Sequence, residues 1–248
     1  LKIEFLSTPY NLEDVDFLDA LGVRAFKLAS IHIAEPPFID YVARKGKPMI
    51  LSTGMATLAE VDIAVRTSRE AGNEDLIILQ CTTDYPAQID QINLLAMKTL
   101  SDCFGFPVGY SDHTRTATAC IAAAALGAKV IEKHFTVDRS LDGPDQATSF
   151  TPEEFHQLIV SIREAESAMG SRRKEPGAAE KKNIFGMRRS VVAKQSIPAG
   201  EIIKAEMLTL KRPALGIAPA DMLRVIGCRA LVSIQADQMI EWGMLAKD

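Results

Sequence analysis

Two histidines stand where chemistry would be done. His113 closes the run PVGYSDHT (107–114) and His134 closes KVIEKHF (129–135), each at the end of an apolar stretch and each beside a carboxylate, Asp112 and Glu132. Two imidazoles at neighbouring strand ends, with coordination positions left open, suit one divalent transition metal such as Mn, Fe, Co or Zn. A lone histidine is more often a satisfied structural side chain, but two at the same kind of position favour a shared ion. Asp112 and Glu132 either orient the imidazoles from behind or meet a substrate directly; otherwise they are solvated loop charges.

Hydrogen-bond donors gather at the same places. Lys27, Ser30, Ser52, Thr53, Thr83 and Ser111 lie at successive strand ends. Any one hydroxyl is more simply a helix cap or a turn. A ring of them around a lysine combines a point charge with directed hydrogen bonds, which suits a small phosphate or carboxylate beside a metal.

The elements that position these residues follow one repeating unit. IEFLSTP (3–9), AFKLAS (25–30), PMILSTG (48–54), LIILQCTTDYP (76–86), PVGYSDHT and KVIEKHF are short apolar runs, and each ends in polar, reactive types. Helices are expected between them. Asn11 can cap a helix over 12–21 closed by Gly22, and Thr57 with Glu60 forms a capping box for a helix ending near Gly72. Thr151, Pro152 and Glu154 start another that keeps helical spacing to Gly170. Alternating strands and helices with uninterrupted apolar strands predict a parallel sheet covered by helices, with the active site at the C-terminal strand ends. The alternative is an open doubly wound sheet, but no glycine-rich phosphate fingerprint follows the first strand. A (β/α)8 barrel fits better, although only six of its eight strands are legible.

Composition bounds the rest. The chain has 248 residues, 47% of them hydrophobic, and a formal net charge of −4 with both signs interspersed. That excludes a basic nucleic-acid surface, and no apolar run is long enough to span a membrane. Cys81, Cys103, Cys120 and Cys228 show no close pairing and read as free thiols in a reducing cytoplasm. The stretch SRRKEPGAAEKKN (171–183) is charged and poor in apolar residues and reads as a linker. Beyond it, SVVAKQSI (190–197), EIIKAEML (201–208), ALVSI (230–234) and MIEWG (239–243) predict a small, mostly-β domain. The expected division is 1–170, a linker over 171–186, and 187–248.

STP (7–9), KLAS (27–30), LSTGMA (51–56), CTTDYPA (81–87), GYSDHT (109–114), IEKHFT (131–136), DRSLDGPD (138–145) and KRP with GI (211–217) occur in this order. Together they strongly resemble the sialic acid synthase family, which includes N-acetylneuraminate, legionaminic and pseudaminic acid synthases. SVVAKQSIPAGEII and LKRPALGI resemble that family's C-terminal antifreeze-like (SAF) domain. The resemblance covers essentially the whole chain. It implies an α/β fold, a (β/α)8 TIM-type barrel followed by the SAF domain. It also implies condensation of phosphoenolpyruvate with an N-acetylated aldose, giving a nine-carbon 2-keto sugar acid and phosphate.

The same resemblance implies roles. Lys27, Ser30, Ser52, Thr83 and Ser111 match positions around phosphoenolpyruvate. His113 and His134 match ligands of a divalent metal, commonly Mn, with Mg or Co as alternatives. Tyr85, Glu132 and Asp145 match positions around the sugar. Arg212 matches an arginine that the SAF domain contributes across a domain-swapped homodimer.

Three departures stand out. His32 replaces a usual glutamate, and is then either a base or a third metal ligand. Gln146 stands where histidine is usual, and the HTRTAT run (113–118) lacks a usual glycine. The family's first two strands have no counterpart, so an upstream segment, or another chain, is expected to cover sheet edges formed by IEFLSTP and KVIEKHF. The alternative functions are a catalytically impaired fragment that binds a phosphorylated ligand, a dimerisation module, or a related synthase acting on a sugar phosphate. The last would need a second basic cluster that the sequence lacks.

Overall fold

The computed structural model describes residues 3–247. The chain divides into two compact units, Leu1–Gly170 and Ser171–Asp248.

The first unit alternates α1 (Leu12–Leu21), β1 (Phe26–Leu28), α2 (Pro36–Ala43), β2 (Met49–Ser52), α3 (Leu58–Glu70), β3 (Leu76–Cys81), α4 (Ala96–Phe104), β4 (Val108–Asp112), α5 (Thr118–Ala125), β5 (Ile131–Lys133) and α6 (Pro152–Met169). The five strands form one parallel sheet in the order β1-β2-β3-β4-β5, curled as a half-barrel. Strand order equals chain order and never reverses, so there is no switch point of the kind that defines a doubly wound sheet. Phe26, Leu28, Met49, Leu51, Ile78 and Leu79 are all but fully buried, as a sheet covered by helices requires.

Helix boundaries follow local capping chemistry. The Asn11 side chain accepts the Asp14 N–H at 2.7 Å, and Gly22 ends α1 in the left-handed region at φ 82°. Full capping boxes open α3 at Thr57/Glu60 and α6 at Thr151/Glu154, where Pro152 occupies the first turn. The backbone N–H groups left unpaired at a helix start are satisfied by residues only three positions away, so these boundaries could be read directly from the sequence.

Three expectations are corrected. Residues 3–9 form no strand, so the sheet has five strands and not six. Its first edge is therefore β1 rather than IEFLSTP, and Ile3 and Phe5 are exposed. An apolar run becomes a strand only when another strand pairs with it; here the link to the sheet side is an ion pair from Glu4 to Arg24 at 3.0 Å. The stretch read as a linker holds most of helix α7 (Ala178–Met187), none of whose residues is buried. Its Ala, Glu and Lys are good helix formers, and the Glu180 carboxylate accepts the Gly177 N–H at 3.0 Å.

The third correction lies in the second unit, where two of the four predicted strands are replaced by irregular pairing. β6 (Ser190–Ala193) pairs antiparallel with β7 (Leu208–Lys211), and β8 (Arg229–Ala230) with β9 (Leu245–Ala246), with the short α8 (Met222–Val225) between. EIIKAEML contributes a single bridge at Ile202 and only the first residue of β7, and MIEWG a bridge at Met239. This unit has its own core, in which Val191, Ala193, Ile203, Val225, Ile234 and Ile240 are completely buried.

Candidate active site

The functional side chains come from the short parallel strands and from the segments that follow their C-terminal ends. Lys27 projects from β1, and its ammonium donates to the Ser52 hydroxyl at the end of β2 (2.8 Å) and to the Leu28 carbonyl (3.1 Å). Glu132 on β5 stands 3.4 Å from the same ammonium and accepts the Ser111 hydroxyl from β4 at 2.7 Å. Residues from four of the five strands thus meet around one lysine.

Ser30 and Thr83 join this group through Gly54. The Gly54 N–H donates to the Ser30 hydroxyl at 3.0 Å. A Cβ placed on Gly54 would lie 2.2 Å from the Thr83 Oγ1 and 2.8 Å from the Ser30 Oγ, so only glycine fits between them. The Thr83 hydroxyl is buried and has no hydrogen-bond partner among the described residues. A buried orphan of this kind calls for a partner, and a ligand oxygen would supply one. Thr53, also buried, donates its hydroxyl to the Leu79 carbonyl at 2.8 Å and so serves the sheet.

The two histidines come together. The His113 and His134 rings lie edge to face with centroids 5.2 Å apart, and the Tyr85 ring lies 4.1 Å from His113 and 5.7 Å from His134. His113 Nδ1 is 2.6 Å from the Thr82 carbonyl. A carbonyl can only accept, so Nδ1 carries the proton and Nε2 keeps its lone pair. Burial, foremost among several influences, holds the His113 imidazole below its ordinary pKa, so the ring is neutral at pH 7. A neutral ring with one nitrogen pinned to a backbone carbonyl is the usual form of a metal-bound histidine. Asp145 Oδ2 approaches His134 Nδ1 to 3.7 Å, beyond hydrogen-bond distance. The loop carrying Asp145 is returned to the strand end by bonds from Phe150 N–H to the His134 carbonyl and from Thr136 N–H to the Phe150 carbonyl, both 2.9 Å.

Two further candidates make contacts of their own within their units. His32 is buried, but its Nδ1 pairs with Glu35 at 2.9 Å and its ring stacks on Phe38 at 4.3 Å. Among the described residues no group of three His, Cys, Asp or Glu side chains is placed to hold a metal, and His32 contacts Glu35 and Phe38 instead. Its Nε2 is buried without a hydrogen-bond partner among the described residues. Arg212 is exposed in the second unit, with Nη1 3.8 Å from the Met187 sulfur. Neither carboxylate beside the histidines orients an imidazole: Glu132 serves Ser111 and Lys27, and Asp112 is buried against Lys133 at 2.8 Å. Strand alternation explains the case of Asp112, because residue 112 must face opposite to 113, whereas Glu132 shares the face of His134 but is engaged by Ser111 and Lys27.

One site residue escaped sequence reasoning. The buried Cys81 thiol lies within bonding reach of Ser30 and Ser111, and 4.0 Å from His113 Nδ1, bridging the lysine group and the histidine group. Burial pushes its pKa up, so it is a neutral thiol. Its place at the end of β3 was the available signal.

Five parallel strands with a lysine–hydroxyl pocket next to paired histidines at their C-terminal ends define an enzyme-like α/β site. Comparison with known proteins is consistent with that. Residues 1–174 match the NeuB family and residues 188–246 match the SAF domain. The chain is 44% identical over 241 residues to N,N'-diacetyllegionaminic acid synthase of Campylobacter jejuni, covering 96% of this chain and 72% of that protein. It resembles the crystal structure of N-acetylneuraminic acid synthetase from Leptospira borgpetersenii, solved with citrate, at 35% identity and a TM-score of 0.69, covering 73% of this chain and 64% of that one. A spore coat polysaccharide biosynthesis protein E from Chromobacterium violaceum superposes with a TM-score of 0.77 at 26% identity, over 99% of this chain and 74% of that one. The chain belongs to the NeuB family and carries a C-terminal SAF domain.

Proposed function

We propose that this chain takes part in the condensation of phosphoenolpyruvate with an N-acetylated aldose, forming a carbon–carbon bond and releasing phosphate. The observation that carries this reading is the convergence of Lys27, Ser52, Ser30, Thr83 and Ser111 next to the His113–His134 pair. The Lys27 ammonium and the hydroxyls hold the phosphate and carboxylate of phosphoenolpyruvate, with the orphaned Thr83 hydroxyl gaining its missing partner. Glu132 is the counter-ion of Lys27 until the anionic substrate takes that place.

A divalent metal, Mn in the first instance, would be held by His113 and His134 and would supply Lewis-acid polarisation of the aldehyde oxygen. The methylene carbon of phosphoenolpyruvate adds to the aldehyde carbon while the aldehyde oxygen takes up a proton; water adds to the resulting cationic enol carbon and loses a proton, and the tetrahedral intermediate expels phosphate to leave the 2-keto group. The chain's own contribution is chiefly positioning. Lys27 and the hydroxyls fix one reactant, while Tyr85, Asp145 and Glu132 border the space for the sugar. His32, with Glu35 on Nδ1 and a buried Nε2 that has no hydrogen-bond partner among the described residues, is the candidate base in this reading. In this reading a closed (β/α)8 barrel completes the sheet, and Arg212 reaches the sugar of a second subunit in a homodimer.

The test is phosphate release from phosphoenolpyruvate with Mn2+ across a panel of N-acetyl hexosamines and their phosphates. Sugar-dependent release supports the reading. Binding of phosphoenolpyruvate without release for any sugar would favour a phospholigand-binding module instead.

A further inference from the structure

The buried ion pair of Asp112 and Lys133 has no part in the reaction just described. Its members are register partners across β4 and β5, 2.8 Å apart, with side chains 0% and 2% exposed. Oδ1 of Asp112 accepts the Tyr110 hydroxyl and the Thr114 N–H, both at 2.9 Å, and Oδ2 accepts the Thr114 hydroxyl and the Cys120 thiol, both at 3.2 Å. Lys133 also donates to the Thr114 carbonyl, and its ammonium lies 4.4 Å from the centre of the Phe150 ring. The cluster therefore ties β4, β5 and α5 together on the helix side of the sheet.

An ion pair this buried is a poor way to gain stability, because desolvation offsets the attraction; its best-attested use is to specify register. Register matters here because the next residue on each strand is a histidine. Side chains alternate faces, so a pair fixed at 112 and 133 on one face sets His113 and His134 side by side on the other. A slip of one residue would turn one imidazole away. The bonds from Thr114 to the same carboxylate hold the chain on the far side of His113 as well.

We propose that Asp112 and Lys133 are positioning residues, whose ion pair behind the sheet sets the spacing of His113 and His134 for a shared divalent cation. The proposal rests on the metal reading given above. It is tested with the double variant Asp112→Asn, Lys133→Met, which removes both charges while keeping side-chain volume and the acceptor for Tyr110 and Thr114. The Mn2+ dissociation constant is measured by calorimetry, the coordinated imidazole nitrogens are counted by pulsed electron paramagnetic resonance, and stability is read from the urea midpoint. Ile78→Val, in the fully buried centre of β3, is the control for general loosening.

The expected result is a folded double variant whose Mn2+ affinity falls about ten- to a hundredfold, the usual cost of disturbing groups behind metal ligands, with the two-nitrogen signature reduced. Ile78→Val should shift the urea midpoint and leave the affinity within about twofold. A folded double variant with wild-type affinity and both nitrogens overturns the proposal. If the double variant does not fold, Asp112→Asn alone is judged by the same criteria. A wild-type chain that binds no Mn2+ overturns the metal reading itself and this proposal with it, whereas wild-type binding with unchanged variant binding sinks only the positioning role.

Discussion

His113 and His134 face each other edge to face with ring centroids 5.2 Å apart, although 21 positions separate them in the sequence. Adjacent parallel strands bring them together, and the Thr82 carbonyl sets the tautomer of the first. Replacing both by alanine is expected to abolish metal-dependent phosphate release and to strip the protein of bound divalent metal. Metal analysis after dialysis against Mn2+ checks this, and retained metal with retained activity would refute the assignment.

Lys27 is the cation around which Ser52, Glu132 and, through Glu132, Ser111 are arranged. A hydrogen bond to a charged group is worth roughly 1.5–3 kcal/mol, so Lys27→Ala should weaken phosphoenolpyruvate binding about tenfold or more. The effect on the sugar KM should be much smaller. An unchanged KM for phosphoenolpyruvate would exclude the role.

His32 pairs with Glu35 and stacks on Phe38, outside any three-ligand group among the described residues. His32→Ala is therefore expected to leave Mn2+ affinity within about twofold of wild type, since no metal–ligand bond is lost. If His32 is the base, kcat should fall and its pH profile should lose a limb. Calorimetry and steady-state rates across pH separate the two roles.

Glu154 closes the capping box of α6, and the Thr151 backbone N–H holds its carboxyl below the ordinary value of 4.5, with Arg139 adding to the effect. A carboxyl depressed in the folded state stabilises it above the unfolded pKa. That contribution is lost as pH falls from about 4.5 through the lower folded value. The urea midpoint of the wild type should therefore fall more steeply between pH 5 and 3 than that of Glu154→Gln. Parallel slopes would show that the cap does not couple to protonation.

Much of the site was legible because its chemistry is carried by residue type at strand ends. Lys27 lies within an apolar run and Ser30, Ser52, Thr83, Ser111, His113 and His134 at or after the ends of such runs, and chain order equals strand order in the sheet, so neighbouring runs deliver neighbouring side chains. Helix starts at Asn11, Thr57 and Thr151 were equally legible, since a cap is made by residues three positions apart.

Tertiary structure decided what depends on a second segment. Residues 3–9 have the composition of a strand, but a strand exists only when a neighbour fills its hydrogen bonds, and among the described residues none does. Asp112 and Glu132 both stand beside a histidine in sequence, yet alternation sends Asp112 to the helix side with Lys133 while Glu132 reaches Lys27 across the sheet. His32 carries the right functional group for a ligand, but its Nδ1 is paired with Glu35 and its ring packs on Phe38. Capping and periodicity act between residues a few bonds apart and are written in the sequence itself. Facing, pairing and desolvation act through space, between residues whose distance is fixed only once the sheet has formed.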